Sequence, residues 1–137
     1  MQNFNPKPLE LQELFKQIEE LSNYIFQDQA LLLEALTHSS YAAEQSEDTA
    51  FNQRLEFLGD AVLQLVLSDF LFAAFPLEAE GILTRVRAML VKEQANAEYA
   101  LKLQLDKALL LGNGENLSGG RQRPSILGDA FVAFLGA

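Results

Sequence analysis

Asn52-Gln53-Arg54-Leu55-Glu56-Phe57-Leu58-Gly59-Asp60-Ala61-Val62-Leu63 sets two carboxylates four residues apart at the head of a long apolar segment. On a helix, positions i and i+4 share a face one turn apart, so Glu56 and Asp60 point the same way. Like charges so placed repel by roughly a few tenths of a kcal/mol in water, and by more when half-buried, unless a cation or proton lies between them. Hard divalent metals such as Mg²⁺ or Mn²⁺ suit carboxylate oxygens. The plainer alternative is a helix running into the core with both acids at its exposed end, and spacing alone leaves both explanations open.

The apolar run continues to Leu77, but Gln64, Ser68 and Asp69 interrupt it. Pro76 stops it short of the roughly 20 apolar residues of a membrane span. This pattern predicts a buried helix from about Asn52 to Phe75, and no membrane partner. It ends there because the residue before proline is pushed out of helical geometry. A length of 137 residues, 49% hydrophobic and 21% charged, fits one domain over residues 1–137 with a real core.

Around this helix the periodicity stays helical. Leu9, Leu11, Leu14, Phe15, Ile18 and Leu21 recur at helical spacing, as do Leu31 to Leu36 after Asp28. His38 to Phe51 turns polar and acidic and reads as a surface loop. Ile82 to Leu90 and Lys92 to Leu103 continue as helices, with Arg85, Arg87, Lys92 and Lys102 on the remaining faces. Leu111 to Pro124 reads as a glycine-rich loop, followed by an apolar helix from about Ser125. With no alternating strand pattern and no repeat, the fold class is all-α. The apolar finish at Phe134 to Ala137 predicts a fragment of a longer chain.

Charge bears on partners. Of the net −9, residues 1–60 carry eleven acids against three bases, and the remainder eight against seven. By charge alone nucleic acid binding is disfavoured, unless divalent cations invert the local sign or a separate basic module grips the phosphates. Met1 to Leu9 lacks a signal-peptide pattern and there is no cysteine, so a cytoplasmic location is expected. Asp129, in Leu127-Gly128-Asp129-Ala130-Phe131-Val132, also heads an apolar helix, where the helix dipole favours a carboxylate with or without a metal.

The Gln53 to Leu63 segment resembles the signature motif of the ribonuclease III family of double-strand-specific endoribonucleases. Ala35 to Tyr41, Glu80-Gly81-Ile82-Leu83-Thr84 and Ser118 to Phe131 match the family in the same order, so the resemblance runs from about Asp28 to Ala137. It implies the all-helical nuclease domain of bacterial ribonuclease III, a multi-helix bundle that forms a homodimer around a valley for double-stranded RNA. Glu56, Asp60 and Asp129 would be the catalytic, metal-binding carboxylates, holding Mg²⁺, with Mn²⁺ as a substitute. The products would carry 5′-phosphate and 3′-hydroxyl ends, as in processing of ribosomal and messenger RNA. Relatives usually carry a C-terminal double-stranded-RNA-binding domain, absent from this chain.

Two positions depart from the family at the chemistry. Its fourth acidic ligand is a glutamate three residues after the aspartate matched by Asp129, where this chain has Val132. It also has a glutamate where this chain has Gln53, a neutral amide still able to hydrogen-bond water or phosphate. Glu80 matches an acidic position that assists the site. Impaired cleavage is therefore expected, with a catalytically inactive RNA-binding or dimerisation scaffold on the same fold as the alternative. Phe57, one residue past Glu56, would face away from the metal side and, by resemblance, insert into a cavity of the partner subunit. Burial in its own core is the other option. His38 with Ser39 is expected to organise a helix end rather than to catalyse. Ser118 to Arg123 offers either a phosphate seat or a turn with solvated arginines. Arg85, Arg87 and Lys92 either contact RNA or are solvated.

Overall fold

The structure is a computed structural model that describes residues 5–137, so the part of the leader expectation that falls on residues 1–4 lies outside the described residues. The all-α expectation holds. Helices α1 (Pro8–Ser22), α2 (Gln29–Ala35), α3 (Ser39–Ala43), α4 (Gln53–Ala74), α5 (Glu80–Leu90), α6 (Glu93–Lys102), α7 (Leu105–Ala108), α8 (Asn113–Leu117) and α9 (Pro124–Gly136) follow in order. Among the described residues the extended pairing is a single parallel bridge, Thr37 to Leu110, where the ends of α2 and α7 meet.

The last helix in the chain is the central one. Ile126, Leu127, Ala130, Val132, Ala133 and Phe134 are all buried, so α9 is apolar on nearly every side and packs between α4 and α6. Two glycines set the α4–α9 approach. A Cβ on Gly59 would sit 1.7 Å from the Val132 carbonyl oxygen, and one on Gly136 would sit 2.2 Å from the Leu55 carbonyl oxygen. The two backbones therefore touch, and no side chain fits between them. On the other flank, Phe15, Ile18, Leu32, Leu36 and Leu105 close the main core against Leu127 and Phe134.

Helix α4 is anchored at its start by Asn52, which is 3% exposed. Its amide nitrogen donates to the Ala35 carbonyl at 3.3 Å, and its backbone N–H donates to the Thr37 carbonyl at 3.0 Å. The helix ends at Ala74, as Phe75-Pro76 predicts. The expectation of a buried helix is corrected, however. Leu55, Gly59, Leu63 and Leu71 are the buried helical positions, while Phe57, Leu65, Val66, Phe70 and Phe72 are 57–84% exposed. Hydropathy registers that such residues avoid water without registering what covers them. By length and composition α4 also suffices to cross a membrane. A stripe of Gln53, Glu56, Asp60, Gln64 and Ser68 nevertheless runs along one side of it, joined by Arg87 Nη1 donating to Ser68 Oγ at 2.8 Å.

Two expected loops are partly helical. In the first, His38 starts α3 by accepting the Ser40 backbone N–H on Nδ1 at 3.1 Å, the helix-organising role expected of it. In the second, α8 and a 3₁₀ turn at Gly120–Gln122 are tied down by Arg121. That guanidinium donates to the carbonyls of Asp106 and Leu109 at 2.8 and 2.7 Å and to the amide oxygens of Asn5 and Asn116 at 3.0 Å. Arg123 pairs with Glu115 at 2.6 Å. Arg121 is thus occupied by chain carbonyls, and neither the phosphate seat nor the solvated arginine describes it.

Replacing Gly59 with alanine drives a methyl group into a backbone carbonyl and is expected to cost about 3 kcal/mol or more in urea unfolding. Gly81→Ala, on α5 with nothing within 4 Å, is the control and is expected to gain about 0.5 kcal/mol.

Candidate functional site

The α4–α9 contact decides where the acids lie. Because Gly59 rides on the Val132 carbonyl, the α4 turn carrying Glu56 and Asp60 lies beside the α9 turn that begins at Gly128-Asp129. Between them and the first turn of α6 opens a cavity of about 800 Å³. Its wall includes Gln53, Glu56, Phe57, Asp60, Glu93, Asn96, Gly128, Asp129 and Val132. The three expected carboxylates thus share one cavity with the two departed positions. Glu80 does not line it; its carboxylate accepts the Thr84 hydroxyl at 2.6 Å on the surface of α5.

The carboxylates are electrostatically crowded. Glu56 is pushed up from 4.5 to about 7, first by partial burial, then by the charge of Asp129 and a hydrogen bond to it, and last by Asp60. Asp129 is also raised, by burial and by the charge of Glu93, against the hydrogen bond from Glu56 and the pull of His38. Both carboxyls therefore hold their protons more tightly than a solvated acid does. His38 is lowered, chiefly by burial.

Among the described residues no three His, Cys, Asp or Glu side chains converge tightly enough to enclose a metal ion unaided. The donor chemistry still fits Mg²⁺. Four carboxylates, Glu56, Asp60, Glu93 and Asp129, present hard oxygens to a cavity roomy enough for a cation that keeps several waters. Like charges crowd there, and a counter-charge is what a cation would supply.

Two cavity residues escape a motif reading. Glu93 and Asn96 lie three apart on α6, on one face. Asn96 is buried, its Nδ2 donates to the Val91 carbonyl at 3.2 Å, and its Oδ1 has no partner. A polar residue beside the core alanines Ala97 and Ala100 was the available signal. Phe57 departs from its expectation: rather than facing wholly away, it stands 84% exposed at the cavity lip. It also borders a second cavity, of about 570 Å³, with Leu31, Leu55 and Leu58. Val132 is 6% exposed, an apolar patch on the acidic wall.

The folded protein binds protons at Glu56 that the unfolded chain has released between pH 4.5 and about 7. Stability must therefore fall as pH rises through that window. Metal-free protein is expected to lose thermal stability between pH 5 and 7.5 relative to Glu56→Gln, as measured by calorimetry. Parallel pH profiles for the two proteins contradict the raised Glu56 carboxyl.

Comparison with known proteins agrees with this architecture. The family model described as Ribonuclease-III-like matches residues 28–137. "Ribonuclease 3" of Oleidesulfovibrio alaskensis is 52% identical over 124 residues, 90% of this chain and 54% of that protein. The Streptococcus sanguinis protein of the same name is 47% identical over 93% of this chain and 55% of its own. This chain spans about half the length of these curated relatives. A crystal structure of the nuclease domain of ribonuclease III from Campylobacter jejuni superposes with a TM-score of 0.80 at 43% identity, covering 88% of this chain and 79% of that one. A second structure of that domain, described for structural flexibility in a region involved in dimer formation, gives 0.81 at 43% identity, over 89% and 82%.

Proposed function

The chain belongs to the ribonuclease III family, and from that premise we propose that it is the nuclease domain of a metal-dependent endoribonuclease that cuts double-stranded RNA as a homodimer, in cytoplasmic processing of ribosomal and messenger RNA. The observation that carries the proposal is the convergence of Glu56, Asp60 and Asp129 on one cavity, where crowding raises the first and last above the ordinary carboxylate range.

Glu56, Asp60 and Asp129 are the residues to hold Mg²⁺, which when bound supplies charge neutralisation at the phosphate and an activated water. The chain's own groups set the conditions. Glu56 and Asp129 must shed their protons to ligate, so cation binding strengthens as pH rises. Gln53, on the same wall, offers a neutral amide to water or to a phosphate oxygen. Arg85 and Lys92 are exposed near Arg87 and offer charge to a duplex backbone, the part of RNA a protein reads by shape.

The exposed face of α4 supports the homodimer. Phe57, Leu65, Val66, Phe70 and Phe72 are more apolar surface than a monomer leaves bare. In an isologous pairing, Phe57 of each copy would meet the cavity lined by Leu31, Leu55 and Leu58 on the other. Val132 favours a second reading, the inactive scaffold, because it removes an anionic ligand from the α9 face.

Phe57→Ala is expected to weaken the dimer about 30-fold in sedimentation equilibrium, as loss of an aromatic anchor does. Cleavage of duplex RNA with Mg²⁺ is expected to be slow and to rise on the order of ten-fold or more in Val132→Glu. Equal rates for the two chains count against impairment, and no cutting by either supports the scaffold.

A further inference from the structure

Asn96 is the anomaly on the cavity wall. A buried amide carbonyl without a partner bears its full desolvation penalty, and Asn96 Oδ1 has none, although the residue is only 7% exposed. Its orientation is set from the other end, since Nδ2 is held on the Val91 carbonyl at 3.2 Å. Glu93 lies one turn earlier on the same face of α6.

Both residues line the same cavity as Asp129 and Val132. Gly128 lets α6 close on α9: a Cβ there would lie 3.3 Å from the Glu93 carbonyl oxygen and 3.4 Å from the Asn96 Cβ. Asp129 follows Gly128, and Val132 comes one turn later on the same cavity wall. The first turn of α6 and the acidic turn of α9 thus line the cavity side by side. Valine offers a cation nothing, whereas a carboxylate and an amide carbonyl are both ordinary oxygen ligands for Mg²⁺, Mn²⁺ or Ca²⁺.

We infer that Glu93 and Asn96 of α6 supply the oxygen ligands that position 132 lacks, so that the cavity binds a divalent cation across α4, α9 and α6. This rests on the metal-dependent reading above. Glu93 restores the lost negative charge, and Asn96 Oδ1, closed off from solvent, gains in the cation the partner that the protein leaves it without.

The test is Mn²⁺ binding to the intact chain, by titration calorimetry and by the electron paramagnetic resonance of free Mn²⁺, without RNA. Glu93→Gln and Asn96→Leu are each expected to weaken binding about ten-fold or more, and Asn96→Asp to tighten it. In a Val132→Glu background, where the glutamate takes up the role, the same losses are expected to shrink to about three-fold or less. Equal losses in both backgrounds make Glu93 and Asn96 structural and overturn the compensation, as does binding unaffected by either change. A parent chain that binds no Mn²⁺ overturns the metal-dependent reading itself. Should Asn96→Leu fail to fold, Glu93→Gln at an exposed position and the shape-preserving Asn96→Asp decide the matter.

Discussion

Backbone contact between α4 and α9 at Gly59 is the constraint from which the other features follow. With a Cβ excluded at Gly59 and again at Gly136, the two helices cross as closely as main chains allow. That distance brings the Glu56 turn against the Asp129 turn, and it buries the backbone at Val132. A wider crossing would fill with side chains, and the acids would drift into water, where they need neither proton nor cation. Packing thus generates the electrostatic tension of the site. The cost is accepted where the α4–α9 contact and the main core around Leu127 are strongest.

The cavity is asymmetric in what holds it. Its α4 and α9 walls belong to the tightest contact in the fold, while the α6 wall meets them through Gly128, a third position without a side chain. Rigid elements therefore present every carboxylate, and none depends on a long loop for its placement. Arg121 performs a similar service at a distance. By gathering carbonyls from Asp106 and Leu109, it holds the α7–α9 connection against the core, so that α9 starts at a defined point.

Much of this was legible in the residues. The i, i+4 acids, the stop at Phe75-Pro76 and the apolar run after Pro124 are local signals, and the helices that follow from them lie within a few residues of expectation. What was not legible depended on partners remote in sequence. Exposure of Phe70 and Phe72 was hidden because hydrophobicity is the same whether a residue is covered by its own chain or by another, whereas the exposure of Phe57 agrees with the partner-facing role that the resemblance implied. Arg121 read as a surface charge because its acceptors are carbonyls, which every sequence has and none displays. Glu93 and Asn96 carried no motif, and they join the acids only because Gly128 admits α6.

The central position of α9 has a consequence for synthesis. Chains emerge from the ribosome amino end first, yet the helix that α4 and α6 pack upon spans residues 124–136. Until it emerges, Gly59 lacks the backbone it packs on and Leu55 has only the α2 side of its cluster, so α4 waits as an apolar helix without its main support. The α4–α9–α6 core can therefore close only once residues 124–136 are available, and the apolar flank of α4 that faces α9 stays uncovered until then.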